Sequence, residues 1–223
     1  DFASLARLAR AEGRMDDALA YLRAAAGMAP DNASILAGYG DIQADLDQTG
    51  DAIGTYRLVL EINPEDFTTL LSLGGLLSDR GELEEARGLL ERAAALEPGS
   101  AEAHFRLALV MDKMEEYGPA RKEYEKALDL GSDSLVAHFR LGFFLAEEGN
   151  REGAMSHLAA AVTADPKKFV PYLFKEVQKV HSQLDCIRYT EPFTELLNRY
   201  REFWIQGKEE SPGPDQPIPG EAG

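Results

Sequence analysis

Apolar and small residues recur between residues 1 and 166 at the three- and four-residue spacings of amphipathic helices, with charged residues between them. The segment 81–98, GELEEARGLLERAAALEP, shows this pattern most clearly. It opens on a glycine and closes on a proline, which ends a helix because it lacks the amide hydrogen and clashes with the preceding turn. The pattern therefore predicts a series of short α-helices separated by turns.

The helix pattern returns at a fixed interval along the chain. One column of the repeat is always alanine, a second is small, a third is large, a fourth is small or β-branched, and a fifth ends most units with proline. These columns are Ala18, Ala52, Ala86, Ala120 and Ala154; Ala6, Gly40, Gly74, Ala108 and Gly142; Leu22, Tyr56, Leu90, Tyr124 and Leu158; Ala25, Val59, Ala93, Ala127 and Ala161; Pro30, Pro64, Pro98, Ser132 and Pro166. Small residues let two helix backbones approach closely, and the large ones fill the space beside them. A fixed period of paired helices predicts an α-solenoid.

The columns resemble those of the tetratricopeptide repeat family, whose unit is helix A, a turn and helix B. The resemblance implies an all-α, right-handed solenoid of five hairpins, at about 1–32, 33–66, 67–100, 101–134 and 135–168. Glycine stands at the family's turn position in three units, as Gly13, Gly81 and Gly149. Asp47 and Glu115 replace it in the other two, where we expect small local distortions.

After residue 166 the repeat pattern ends. Residues 167–206 read as two further helices, and because the last apolar face of a solenoid has no neighbour, we expect them to cap it. The tail 207–223 has four prolines and almost no apolar residue, so it is predicted to be disordered. The sequence starts at Asp1, already inside a first helix, which favours a processed form or a fragment of a larger protein.

Composition narrows the function classes. A formal charge of −16 and a pI near 4.7 argue against nucleic acid as the partner, including for a helical-repeat RNA binder, since phosphate contacts need clustered basic residues. The single cysteine, Cys186, excludes an internal disulfide and a cysteine-based zinc site. We find no membrane-span pattern, signal peptide or catalytic motif, which predicts a non-enzyme without cofactor in a soluble compartment, either cytoplasm or an organelle interior.

Three aspartates and three histidines could suggest a metal site. Asp41, Asp45 and Asp47 lack the spacing of a calcium loop and are interpreted as a solvated face. His104 and His138 occupy the same column of consecutive repeats, in the near-duplicates AHFRLAL and AHFRLGF, and are interpreted as packing residues. His157 is expected to be exposed. No metal site is predicted.

In the resembling family, helix A lines a concave groove. Mapping its groove positions onto this chain gives small and charged residues in the first half and an apolar, aromatic strip in the second. We expect this strip to bind an apolar helix or extended segment of another protein, with two arginines contributing carboxylate contacts. The candidate residues are Leu71, Phe105, Arg106, Leu109, Val136, Phe139, Arg140 and Phe143.

The sequence thus favours a non-catalytic interaction scaffold, acting as an adaptor or assembly factor. One alternative is the repeat region of a larger enzyme or multidomain protein whose aromatic segment 193–204 folds back into the strip; the same segment could support a homo-oligomer. Some family members bind chaperone tails through a clamp of Lys, Asn and Arg. Arg106 and Arg140 match just the last arginine of that clamp, so such binding is not expected.

Overall fold

A computed structural model describes residues 1–164, except for the side chains of Glu147, Arg151 and 162–164. Within that range the chain forms ten α-helices and no strand, which confirms the predicted all-α class. The helices are α1 (Phe2–Ala11), α2 (Met15–Met28), α3 (Ala33–Asp45), α4 (Thr49–Ile62), α5 (Phe67–Arg80), α6 (Leu83–Leu96), α7 (Ala101–Lys113), α8 (Tyr117–Asp129), α9 (Leu135–Glu147) and α10 (Arg151–Ala164). Cys186, the capping helices expected at 167–206 and the tail at 207–223 lie outside the described residues.

The chain divides into two compact units, and each is described by itself. The first, Asp1–Glu116, contains α1 to α7, and within it every pair of consecutive helices from α1–α2 to α6–α7 is in contact. The described part of the second unit contains α8 to α10, with α9 packed on both of its neighbours. Consecutive packing of this kind is the arrangement of an α-solenoid. The handedness and the division of 1–166 into five repeats stay predictions.

The first helix of each hairpin begins at a side-chain cap. In α1, α3, α5, α7 and α9 a side-chain oxygen accepts a hydrogen bond from the backbone amide three residues later. This contact satisfies one of the amides that a helix start leaves without an internal partner. The capping residues are Asp1, Asn32, Asp66, Ser100 and Ser134.

All five turns inside the hairpins have the same left-handed geometry. The residue at the turn position has a φ of 74° at Gly13, 81° at Gly81 and 78° at Gly149, and the two substituted positions follow, with 58° at Asp47 and 63° at Glu115. At every one of these turns the next amide donates to the carbonyl five residues back, as in a Schellman motif. The prediction of a local distortion at the two non-glycine turns is therefore wrong. The backbone has the same conformation there as at the glycine turns, and Asp47 and Glu115 adopt a positive φ that is unfavourable for a residue with a Cβ atom.

The small-residue columns are buried at helix–helix contacts. The alanines of the first column, from Ala18 to Ala154, are all 0% exposed. Beside them, the glycines of the second column lie directly against the large side chains of the partner helix. A Cβ atom placed on Gly74 would lie 2.7 Å from Cγ of Leu90, and one placed on Gly40 would lie 2.7 Å from Cε1 of Tyr56. The predicted pairing of small and large columns is confirmed at these contacts.

Replacing Gly74 with alanine should lower the free energy of unfolding by about 1–3 kcal/mol, because the added methyl group overpacks the contact with Leu90. Gly88→Ala is the matched control, since Gly88 lies within α6 and has no heavy atom within 4 Å of an added Cβ. There the greater helix propensity of alanine should raise stability by up to about 1 kcal/mol. Urea denaturation of both variants measures the difference, and equal effects would contradict the packing argument.

Asp47→Gly should stabilise the protein by about 0.5–1 kcal/mol, because glycine adopts the left-handed conformation without the steric cost of a Cβ atom. Asp47→Ala serves as the control. It also removes the carboxylate but retains a Cβ, so no gain is expected. Thermal or urea unfolding distinguishes the two variants, and a gain shared by both would assign the effect to the lost charge.

Candidate functional site

A groove of about 410 Å³ lies on the first unit, between helices α1, α3, α5 and α7. Several of its lining residues are small, which keeps the groove open, and others carry opposite charges. The lining consists of Arg10, Asp41, Ala44, Asp45, Tyr56, Thr68, Ser72, Gly75, Leu76, Asp79 and Arg106. Next to it, a smaller recess of about 210 Å³ between α1, α2 and α3 shares Arg10 as a lining residue.

The carboxylates on α3 are held by fixed partners. The hydroxyl of Tyr56 donates to Oδ1 of Asp41 at 2.7 Å, and Nη2 of Arg10 lies 2.8 Å from Oδ2 of Asp45. Burial of the Tyr56 ring, followed by its hydrogen bond to Asp41, raises the pKa of the phenol well above its usual range. The phenol therefore remains a hydrogen-bond donor throughout the physiological pH range and holds Asp41 in place at the groove.

Arg106 forms the opposite side of the groove. Its Nε donates to Glu102 at 2.5 Å, and its Nη1 lies 3.4 Å from the carbonyl oxygen of Leu71. The guanidinium occupies space that exists because residue 75 is glycine: a Cβ there would lie 2.5 Å from Nη1. With 38% of its side chain exposed, Arg106 presents an oriented cation to the groove.

Four of the predicted site residues belong to the first unit. Leu71, on α5, and Phe105, Arg106 and Leu109, on α7, are all half-buried. They retain exposed surface, although Arg106 already has a carboxylate partner of its own chain in Glu102. Whether these residues bind a partner stays a prediction.

The other four predicted residues belong to α9 in the second unit. Phe139 and Phe143 are 1% and 4% exposed, and whether they contact a partner stays a prediction. Val136 and Arg140 are half-buried, and the Arg140 guanidinium carbon lies 5.4 Å and 5.2 Å from the ring centres of Phe143 and Phe144. The segment 193–204, which the alternative interpretation places over this strip, lies outside the described residues.

Among the polar residues that line the groove, only Arg106 is a binding residue predicted from the sequence. Asp41 and Asp45 are predicted there as a solvated face, and Tyr56 as a packing residue alone. A signal is present, because Asp41 and Gly75 share a groove column of the repeat, and a charge and a glycine there both indicate open space. The hydrogen bond of the Tyr56 hydroxyl could not be predicted from its column. Most residues aligned with Tyr56 are leucines, which have no hydroxyl, and Tyr124 has different neighbours.

The histidines divide into two environments. His104 is 3% exposed and its Nε2 donates to the carbonyl of Pro98 at 3.2 Å, in agreement with a packing role. His138 and His157 form a pair, with their Nδ1 atoms 3.0 Å apart. The exposure expected for His157 is therefore wrong, since its ring is half-buried beside His138.

Two features are absent from the described part of the chain, a candidate metal site and a membrane-spanning helix. Among residues 1–164, no three His, Cys, Asp or Glu side chains come together as a possible metal site. None of the helices in that range combines the length and the apolar character that crossing a membrane requires.

Comparison with known proteins gives consistent results. Family models described as tetratricopeptide repeat match residues 9–76, 67–110 and 101–132. The segment of MamA from residue 41 to its end, from Desulfovibrio magneticus RS-1, superposes with a TM-score of 0.67 at 23% identity, covering 74% of this chain and 93% of that segment. YrrB, described as a TPR protein with an unusual peptide-binding site, has a TM-score of 0.66 at 20% identity, with 78% and 90% covered. TTC0263 of Thermus thermophilus has a TM-score of 0.56 at 20% identity, with 80% and 97% covered. No curated protein sequence matches.

Replacing Tyr56 with phenylalanine should lower the free energy of unfolding by about 1–2 kcal/mol, because it removes a hydrogen bond to the Asp41 carboxylate. Tyr39→Phe is the control: Tyr39 lies on the neighbouring helix α3 and has no side-chain hydrogen bond among the described residues. Denaturant unfolding compares the two variants. If the two substitutions cost the same, the bond between Tyr56 and Asp41 contributes nothing measurable.

Proposed function

Since the chain belongs to the tetratricopeptide repeat family, we propose that it is a scaffold that binds another protein, and that a short extended segment of this partner lies in the groove of the first unit. Members of this family are typically non-catalytic scaffolds. An adaptor or assembly role is the form of this function that we favour. The proposal keeps the predicted function and moves the binding site from the predicted strip on α5, α7 and α9 to the groove lined by α1, α3, α5 and α7.

The observation that carries the proposal is the groove itself. Helices α1, α3, α5 and α7 line one continuous opening, with Arg10 and Arg106 on opposite sides and Asp41, Asp45 and Asp79 between them. Oriented groups of both signs suit a peptide, which offers amides, carbonyls and charged side chains along its length. Because Tyr56 orients Asp41 and Glu102 orients Arg106, binding at these two groups loses little conformational entropy on the protein side.

Apolar contacts are available on the same helices. Leu71 on α5 and Phe105 and Leu109 on α7 are half-buried, so each has surface left for an apolar side chain of the partner. Aromatic residues that become fully desolvated on binding usually contribute most of the affinity of such contacts. The description of YrrB as a peptide-binding TPR protein supports a peptide as the ligand here.

The carboxylates of the groove also argue against nucleic acid as its ligand. A phosphate backbone would meet Asp41, Asp45 and Asp79, while Arg10 and Arg106 are already paired with Asp45 and Glu102. Phosphate contacts release counterions only where basic residues are free to neutralise them. The groove chemistry therefore favours a peptide over RNA or DNA.

Thr68→Arg tests the groove, because Thr68 is an exposed lining residue and a long charged side chain there fills the opening without disturbing the core. Peptides selected on the wild-type protein from a displayed library of random dodecamers should bind this variant at least tenfold more weakly, a loss of about 1.4 kcal/mol. Calorimetry or fluorescence anisotropy with the selected peptides measures the affinity.

Ala95→Arg is the matched control, since Ala95 is exposed on α6 and does not line the groove. It introduces the same side chain and should leave peptide affinity unchanged. Unfolding curves must show that both variants are as stable as the wild type. Selected peptides that bind all three proteins equally would place the binding surface elsewhere and refute the proposed groove.

A further inference from the structure

Two histidines meet where α9 packs on α10. Nδ1 of His138 lies 3.0 Å from Nδ1 of His157, and the ring centres are 5.2 Å apart at an interplanar angle of 40°. At this distance one nitrogen donates a proton and the other accepts it, so at least one ring is neutral. We propose that His138 and His157 form an acid-sensitive contact that holds α9 against α10 at neutral pH and opens when both rings are protonated.

The chemistry of the pair explains its sensitivity. A doubly protonated pair has a donor on each Nδ1 and no acceptor between them, so the hydrogen bond is lost. Two positive charges would then stand about one hydrogen-bond length apart on half-buried rings, where water screens them less than at the surface. Separation of the rings relieves both penalties, and because the rings lie where α9 packs on α10, their separation weakens the contact between the two helices.

Charges on the neighbouring elements modify the effect. Burial is the main cause that lowers the pKa of His138, followed by repulsion from His157, while Asp133 before α9 acts in the opposite direction. Burial is also the main cause that lowers the pKa of His157, where Glu125 on α8 opposes the shift and Arg121 on α8 adds to it. Both shifts remain downward despite the two carboxylates.

The sign of the pH effect follows from these directions. A histidine whose pKa is lower in the folded state than the ordinary 6.5 is protonated more readily after unfolding. Its contribution to stability is complete above the unfolded pKa and is lost as the pH falls through the folded value. Within this window the equilibrium constant for opening rises by up to about tenfold per pH unit for each histidine that takes up a proton.

A histidine at the position of His138 within the repeat is not sufficient to form a histidine pair, as the preceding repeat shows. His104 stands one repeat before His138 in a nearly identical segment, yet its Nε2 donates to the carbonyl of Pro98. The position one repeat before His157 is occupied by a glutamate, Glu123. The histidine pair is thus particular to α9 and α10.

The test uses the whole chain, with hydrogen exchange followed by mass spectrometry and expressed as protection factors, so that the intrinsic pH dependence of exchange is removed. Between pH 7.5 and 5, protection in α9 and α10 should fall at least tenfold more than protection in α3 and α4, which serve as the internal reference. NMR titration of the imidazole protons should show both histidines titrating below the ordinary range. Equal loss of protection in the two regions, or two ordinary titrations, would overturn the proposal.

His157→Gln separates the pair from a general acid effect. The amide oxygen can still accept from Nδ1 of His138 and does not titrate, so protection at pH 7.5 should stay close to that of wild type while its loss on acidification becomes smaller. His104→Gln is the control and should leave the acid response of α9 and α10 unchanged. If His157→Gln retains the full response, the pair is not its source, and the proposal fails even where the variant is folded and stable.

Discussion

Close approach of paired helices, such as α3 with α4 and α5 with α6, is the constraint on which the rest of the structure depends. At Gly74 the backbone of α5 comes so near to Leu90 of α6 that even one added carbon has no room. Interiors are packed at the density of organic crystals, so a contact of this kind fixes both the distance and the relative rotation of the helices. Once that geometry is set, the buried alanines at Ala52 and Ala86 place the next helix as well. A local contact repeated along the chain thereby determines a long-range arrangement.

The groove is a consequence of the same contacts. Tyr56 shows the connection, because its ring fills the space beside Gly40 of α3 while its hydroxyl donates to the carboxylate of Asp41 on the same helix. One side chain therefore sets the spacing of the hairpin and orients a charged group of the candidate site. Gly75 has the complementary effect, since the absence of a side chain there admits the guanidinium of Arg106. Single residues therefore contribute both to helix packing and to the groove, so a substitution that changes the packing at one of them also changes the groove.

The parts of this structure that recur in every repeat could be predicted from the sequence, because each column is present five times. The buried alanine column belongs to this class. The prediction at the Asp47 turn is wrong for a particular reason: the backbone course is imposed by the two packed helices, so the unfavourable residue adopts it. The pairing of His157 with His138 could not be predicted, since the position one repeat before His157 holds a glutamate and the column therefore gives no indication of the contact.

A single groove column illustrates why function varies along a regular scaffold. Asp41, Gly75, Leu109 and Phe143 follow one another at intervals of one repeat, which assigns them equivalent places on helix A. Asp41 is bonded to a buried phenol, Gly75 makes room for an arginine, Leu109 remains half-buried, and Phe143 is 4% exposed. The column determines where a side chain projects, whereas the residues around it determine whether that place is charged, open or filled. A binding site on such a scaffold is therefore indicated by positions of a column where the residue is charged or lacks a side chain. In this chain such positions, Asp41 and Gly75, line the groove between α1 and α7.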